Sequence, residues 1–106
     1  MKSKERELPE RILSCIADTA KRYPEIMAVI LFGSWAMGNA KPGSDIDLAL
    51  SGSRVDGKIV ASFHAYLDEE TNIPYFFDVV HLQSLSNAAL NRHILEKGRI
   101  IYSRQE

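Results

Sequence analysis

The chain has 106 residues, enough for one domain with a modest core and too few for two. At 45% hydrophobic and 25% charged residues its composition is that of an ordinary soluble globular protein. A net charge of -1 argues against a surface built for nucleic acid or anionic lipid, and no apolar run approaches the ~20 residues that span a bilayer.

The first seven residues, Met1 to Glu7, are charged, are expected to fray, and lack the apolar core of a signal peptide. Cys15 is the only cysteine, so no internal disulfide can form. Together these features lead to the expectation of a cytoplasmic protein. Leu8-Pro9 opens a helix in which Leu8, Ile12, Leu13, Ile16, Ala17, Ala20 and Tyr23 recur at helical spacing. Pro24 disfavours the α conformation at Tyr23 and ends it. Cys15 lies beside this stripe and reads as a small, partly buried residue.

Ile26 to Phe32 is an apolar run of strand length, suited to a strand covered on both faces. Ser34 to Gly38 forms a short helix or turn, and Pro42-Gly43 marks a second turn. Asp45 to Leu50 is the next strand, followed by a flexible connection over 51–57 and a helix over 57–70. Thr71 to Pro74 turn the chain into a strand, Tyr75 to Val80. A last helix is expected from Ser84 to Lys97, with Leu90, Ile94 and Leu95 toward the core and Gly98 as its cap. Arg99 to Tyr102 is a final strand or extended tail. This order predicts an α/β or α+β fold, a sheet of about four strands with helices packed on it, in one domain over 1–106. The short link between the first two strands argues against regular doubly wound topology there.

The chemistry is concentrated between Gly33 and Leu50. Alternate strand residues share a face, so Asp45 and Asp47 lie together while Ile46 turns away. Two carboxylates that close repel unless a cation lies between them, and Mg²⁺ is held by such oxygen ligands together with substrate phosphates. Upstream, Gly33 lets backbone approach a phosphate, and the N–H groups after Ser34, with its hydroxyl, can donate to it. Asp78 interrupts the apolar strand Tyr75 to Val80, where a buried carboxylate is costly unless paired or bound to metal. If that strand neighbours Asp45–Leu50, Asp78 joins the pair and can take a proton from an attacking hydroxyl.

Phe32-Gly33-Ser34, ten residues, then Asp45-Ile46-Asp47, with a distant strand aspartate, resembles the nucleotidyltransferase superfamily that includes DNA polymerase beta. The resemblance is to its smallest branch, the minimal nucleotidyltransferase domains, over about residues 10–102. It implies the nucleotidyltransferase fold with a mixed sheet. It assigns Gly33, Ser34 and Ser44 to nucleotide binding and Asp45, Asp47 and Asp78 to metal binding and catalysis. The implied reaction moves a nucleoside monophosphate, AMP from ATP, to an acceptor with Mg²⁺, one or two ions, as cofactor. The implied partner is a small helical protein of the HEPN type, with this chain the antitoxin of the pair, in a homo- or hetero-oligomer. Many minimal members carry arginines shortly after Gly-Ser; this chain has Trp35 and Met37.

Plainer alternatives stand beside these assignments. Asp45 and Asp47 fit a solvated loop end, Asp78 an arginine pair, and Ser44 a turn support that orients Asp45. Trp35 either stacks on a base or a partner or packs over the sheet. Lys41 is a solvated loop lysine or a phosphate contact, and His81 follows the third strand closely enough to reach the site. At the level of function, the alternatives are a binding module that neutralises a partner by contact and a small-molecule, antibiotic-modifying nucleotidyltransferase.

Overall fold

The first helix forms as α1, Glu10–Ala20, in a computed structural model that describes residues 7–104. Residues 1–6, most of the stretch expected to fray, lie outside the described residues. Pro9 sits at the N-cap of α1, one residue before the first turn, and its carbonyl accepts from Ile12 and Leu13 N–H at 3.0 and 3.2 Å. The helix stops before Tyr23. Arg22 and Tyr23 donate to Thr19 and Ala20, three residues back, and this tightening ends the α geometry ahead of Pro24. Leu8, Ile12, Ile16 and Ala20 are buried as the stripe requires.

Four strands, β1 (Ala28–Phe32), β2 (Ile46–Ser51), β3 (Phe77–His81) and β4 (Arg99–Ser103), form one mixed sheet in the order β3-β2-β1-β4. β1 pairs antiparallel with both β2 and β4, whereas β2 and β3 are parallel. Parallel neighbours need a crossover, and α3, Gly57–Glu70, supplies it. β1 and β2 are joined instead through a single helical turn, α2, Ser34–Met37. The boundaries of β3 shift from the expected Tyr75–Val80 because Phe76 lies just ahead of the ladder, its carbonyl accepting from Ile46 N–H at 2.9 Å.

Strand alternation sorts the core into two layers. Val29 and Leu31 of β1, with Ile46, Leu48 and Leu50 of β2 and Phe77 of β3, pack against α1 and α3 through Ile12, Ile16, Phe63 and Leu67. Ile30 and Phe32, with Ala49, face the other way and pack on Leu82 and on Ile94 of α4, Ala88–Lys97. β1 is thus covered on both faces, as its continuous apolar run predicts. Each fully buried aliphatic or aromatic side chain contributes about 1.5–3 kcal/mol, so the two layers together fix the strand register.

Three expectations are corrected. The 51–57 connection is tied down: Val55 is buried, Gln83 accepts from Gly52 N–H at 3.1 Å and donates to Ser51 Oγ at 3.0 Å, and Asp56 caps α3 by accepting from Ile59 N–H. α4 begins at Ala88, not Ser84, because Leu82–Ser84 forms a separate 3₁₀ turn and Asn87 caps the helix by accepting from Leu90 N–H at 3.0 Å. Leu95 points to solvent at 63% exposure, since only Leu90 and Ile94 of that helix reach the sheet. Gly98 is the C-cap of the helix as expected, its N–H donating to the Ile94 carbonyl at 2.9 Å from extended backbone. Its glycine is required by space: a Cβ there would meet the Ile94 carbonyl and would lie 2.6 Å from Ile30 Cγ2.

Candidate active site

At the end of β1 the chain must turn sharply away from β2, and Gly33 makes that turn at φ 75°, ψ -153°. Phe32 and Asp47 are cross-strand partners, so Gly33 emerges beside the Asp47 side chain. A Cβ on Gly33 would overlap Asp47 Oδ2. Both the backbone conformation and the close approach therefore demand glycine. The sequence assigned Gly33 to phosphate approach; the structure adds that a carboxylate of the same chain occupies the space over its Cα.

Asp47 and Asp78 are register partners across the parallel β2–β3 pair. Each stands between residues of the α1–α3 core layer, so both side chains emerge on the face covered by α4. Asp45 precedes β2 by one residue and belongs to the same alternation. Asp78 is exposed, contrary to the burial its apolar strand suggested, because β3 is an edge of the sheet. Asp47 is half-buried, and its pKa is pushed up to about 6, first by burial and then by the negative charges of Asp78 and Asp45. His93 of α4 acts in the opposite direction. A cation between these acids would relieve the repulsion that raises Asp47.

Among the described residues no three His, Cys, Asp or Glu side chains converge closely enough to enclose an ion by themselves. Mg²⁺ does not require such a cage, since it is held through one or two carboxylates completed by water and substrate phosphates. The donor set, all carboxylate oxygen, half-open and electrostatically strained, fits that ion.

Ser34 opens α2 directly after Gly33. Ala36 and Met37 N–H groups both donate to the Gly33 carbonyl at 3.1 Å, while those of Ser34 and Trp35 have no acceptor inside the turn. Ser44 holds the loop: its Oγ accepts from Lys41 N–H at 2.9 Å and its own N–H donates to the Lys41 carbonyl. Trp35 packs, with 6% exposure, its ring edge-on to Tyr75 at 5.4 Å and its Nε1 donating to the Ser44 carbonyl at 3.0 Å. It is thus the strut beneath the loop that delivers Asp45. Met37 is exposed.

His81 does not reach the carboxylates. It pairs with Leu50, at the far end of β2, and its ring bridges the Gly52 carbonyl at 2.9 Å and Ser84 Oγ at 2.6 Å. The histidine beside the site is His93, whose ring lies edge-on to Phe32 with centroids 6.4 Å apart. No spacing rule could have selected it, because the packing of α4 on β1 alone brings it there. The place of Cys15 is as the sequence suggests: half-buried in α1, its thiol pushed above its ordinary pKa by burial and then by Asp18. Among the described residues no helix is long and apolar enough to cross a membrane.

A glycine turn is pressed on an Asp-x-Asp strand, with a third aspartate on the neighbouring strand, at one end of a mixed sheet. The chain belongs to the polymerase beta nucleotidyltransferase family, whose profile, described as "Polymerase beta, Nucleotidyltransferase", matches residues 15–106. No protein of curated function matches it by sequence. Solved structures with the same fold include a toxin–antitoxin structure with AMP-PNP, 22% identical over 88% of this chain and 74% of that chain at a TM-score of 0.73. Another is the MntA-HepT toxin–antitoxin structure, 19% identical over 92% and 74% of the respective chains, TM-score 0.63. A third is the tri-AMPylated HEPN toxin of Shewanella oneidensis in complex with MNT antitoxin, 20% identical over 99% and 75%, TM-score 0.60.

Proposed function

We propose that this chain transfers AMP from ATP, with Mg²⁺, to a small helical HEPN-type partner protein in the cytoplasm, and serves as the antitoxin of that pair. The observation that carries the reading is the contact of Gly33 with Asp47, at the end of the sheet face that also bears Asp45 and Asp78. Family membership supports nucleotidyl transfer, and the AMP-PNP and AMPylated-toxin structures of the same fold support the choice of nucleotide and partner.

Asp45 and Asp47 would hold the metal, with Asp78 as a further ligand. Bound Mg²⁺ supplies charge stabilisation to the transferring phosphoryl group. The Ser34 and Trp35 N–H groups and the Ser34 hydroxyl bind and orient the donor phosphates beside Gly33, while Ser44 holds the loop that sets Asp45. Asp78, on the exposed edge strand, faces an incoming acceptor and takes the proton of its hydroxyl.

The test is transfer of labelled AMP from ATP in the presence of the candidate partner, comparing the wild type with Asp45→Asn/Asp47→Asn. Label on the partner only with the wild type is the expected result. A second reading, a module that silences the partner by contact alone, is favoured by the exposed Met37 and by the lack of arginines shortly after Ser34, where this chain has Trp35 and Met37. It requires tight partner binding by both proteins with no label in either reaction.

A further inference from the structure

Phe76 is the most exposed large apolar side chain among the described residues, at 79%. Strand alternation fixes its face. Phe77 is buried in the α1–α3 layer, so Phe76 and Asp78, on either side of it, emerge on the other face, the one that carries the carboxylates. The Phe76 carbonyl accepts from the N–H of Ile46, which lies between Asp45 and Asp47, so the exposed ring stands at the carboxylate end of the sheet. Its backbone is held on both sides: Tyr75 lies edge-on to Trp35, and Phe77 is in the core. Two ways to Asp78 are closed. Asp47 stands across the ladder on β2, and Val80, the next residue of the same face, packs into the layer under α4. The ways left are over the outer edge of β3 and past Phe76. Beside Phe76 the edge continues into a groove of about 460 Å³ lined by Ile73, Pro74, Tyr75 and, from α3, Asp68. Asp68 is exposed, and its ion-pair partner among the described residues is His64, not a lysine or arginine.

We infer that Phe76 anchors the acceptor: it packs against a large apolar or aromatic side chain one helical turn from the accepting hydroxyl, on a helix of the partner that carries basic residues beside it. The inference rests on transfer to a helical partner, proposed above, and names the surface that receives it. The spacing sets the register. Phe76 and Asp78 are two strand residues apart, about 6–7 Å. Side chains three or four residues apart on a helix stand about 5–6 Å apart at Cβ. A helix laid along β3 with its hydroxyl at Asp78 therefore sets the residue one turn away on Phe76. An aromatic ring presented on fixed backbone loses little freedom on contact, the condition for an interface anchor. The acids of this edge, Asp68 and Asp78 with Asp45 and Asp47 behind them, favour cations on the approaching face and reject an acidic one.

The experiment follows transfer of labelled AMP from ATP, with Mg²⁺, to the candidate HEPN-type partner over a range of partner concentrations, and measures AMP-PNP affinity of the same chains by calorimetry. Phe76→Ala should raise the partner KM about tenfold, the cost of truncating an interface anchor, and leave AMP-PNP affinity within about twofold. Phe76→Leu keeps an apolar side chain and should recover most of the loss. Asp68→Lys should raise the partner KM at low ionic strength and less at high. Because Phe76 is exposed, its variants should melt close to the wild type, which thermal unfolding checks. An unchanged partner KM in Phe76→Ala, or AMP-PNP binding weakened by it, overturns the anchor and leaves the transferase reading intact. An unchanged KM in Asp68→Lys at low ionic strength overturns the basic character of the docking helix. A wild-type chain that binds AMP-PNP with Mg²⁺ and labels no partner overturns transfer to that partner and this inference with it.

Discussion

The carboxylate of Asp47 stands where a side chain on Gly33 would begin, so that a Cβ at Gly33 would overlap Asp47 Oδ2. Two residues fourteen positions apart are thereby fitted to each other, one by lacking a side chain and the other by filling the space. Gly33→Ala meets two penalties at once. It places an alanine at φ 75°, which costs about 1 kcal/mol or more, and it drives the Asp47 carboxylate from its position. We expect a fall in melting temperature of several degrees, and a loss of AMP transfer far larger than the stability change explains, on the order of 100-fold. Thermal unfolding and the labelled-AMP assay on one preparation separate the two effects.

Asp47→Asn should abolish transfer yet stabilise the metal-free chain. The folded-state pKa of Asp47 is raised from 3.8 to about 6, so the folded protein holds this proton more tightly than the unfolded chain does. Stability is therefore greatest below the unfolded value and declines as pH rises through the window from 3.8 to about 6. Above that window the cost is fully present and, after screening by solvent, is on the order of 1 kcal/mol. At pH 7.5 without metal the asparagine variant should melt higher than the wild type, and at pH 4 the difference should vanish. Mg²⁺ should raise the wild-type melting temperature at pH 7.5 and leave the variant unmoved, since the ion relieves the repulsion that the substitution has already removed.

Trp35 tests whether the site is held from below. It is buried, edge-on to Tyr75, and its Nε1 donates to the Ser44 carbonyl at 3.0 Å, one residue before Asp45. Trp35→Ala should cost about 3–5 kcal/mol as a cavity. Trp35→Phe keeps most of the ring and loses the hydrogen bond, for about 1–2 kcal/mol. If Trp35 acts as the strut, Trp35→Phe should also reduce transfer, because the loop ahead of Asp45 loses an anchor. Urea unfolding followed by circular dichroism, rather than by the tryptophan signal that the substitutions delete, gives the energies.

What the sequence reveals and what it hides follow the range of the interactions. The placement of Gly33, Asp45 and Asp47 is legible because it follows from local backbone: a turn, then two residues of one strand face. The continuous apolar run that becomes β1 announces a strand buried on both sides. Asp78 is legible in kind, but its exposure depends on β3 being an edge, which no property of Tyr75 to Val80 states. The choice between His81 and His93 is likewise tertiary. His81 is near Asp78 in sequence and far from Asp47 along the strands, whereas His93 arrives from α4. The 51–57 connection reads as flexible because it opens on Ser51-Gly52-Ser53, and its anchors, His81 and Gln83, lie about thirty residues away. The start of α4 does carry a local signal, since Asn87 followed by a helical run is a favourable N-cap.

Asp78→Asn distinguishes proton transfer from donor binding. Asp78 is exposed on the sheet edge and its hydrogen-bonding backbone is unaffected by the change, so stability should move by less than about 0.5 kcal/mol at neutral pH. The substitution also removes one of the two acids that raise Asp47, so the Asp47 pKa should fall toward its ordinary value. AMP-PNP binding should therefore persist, because on the proposed assignment the donor is held by the Gly33 turn and by metal on Asp45 and Asp47. Transfer to the partner should fall by about 10²–10⁴-fold, the range that a positioned general base contributes. Parallel measurement of AMP-PNP affinity and the rate of partner labelling decides the point. Loss of both together would move Asp78 from proton acceptor to essential metal ligand, and loss of neither would remove it from the reaction.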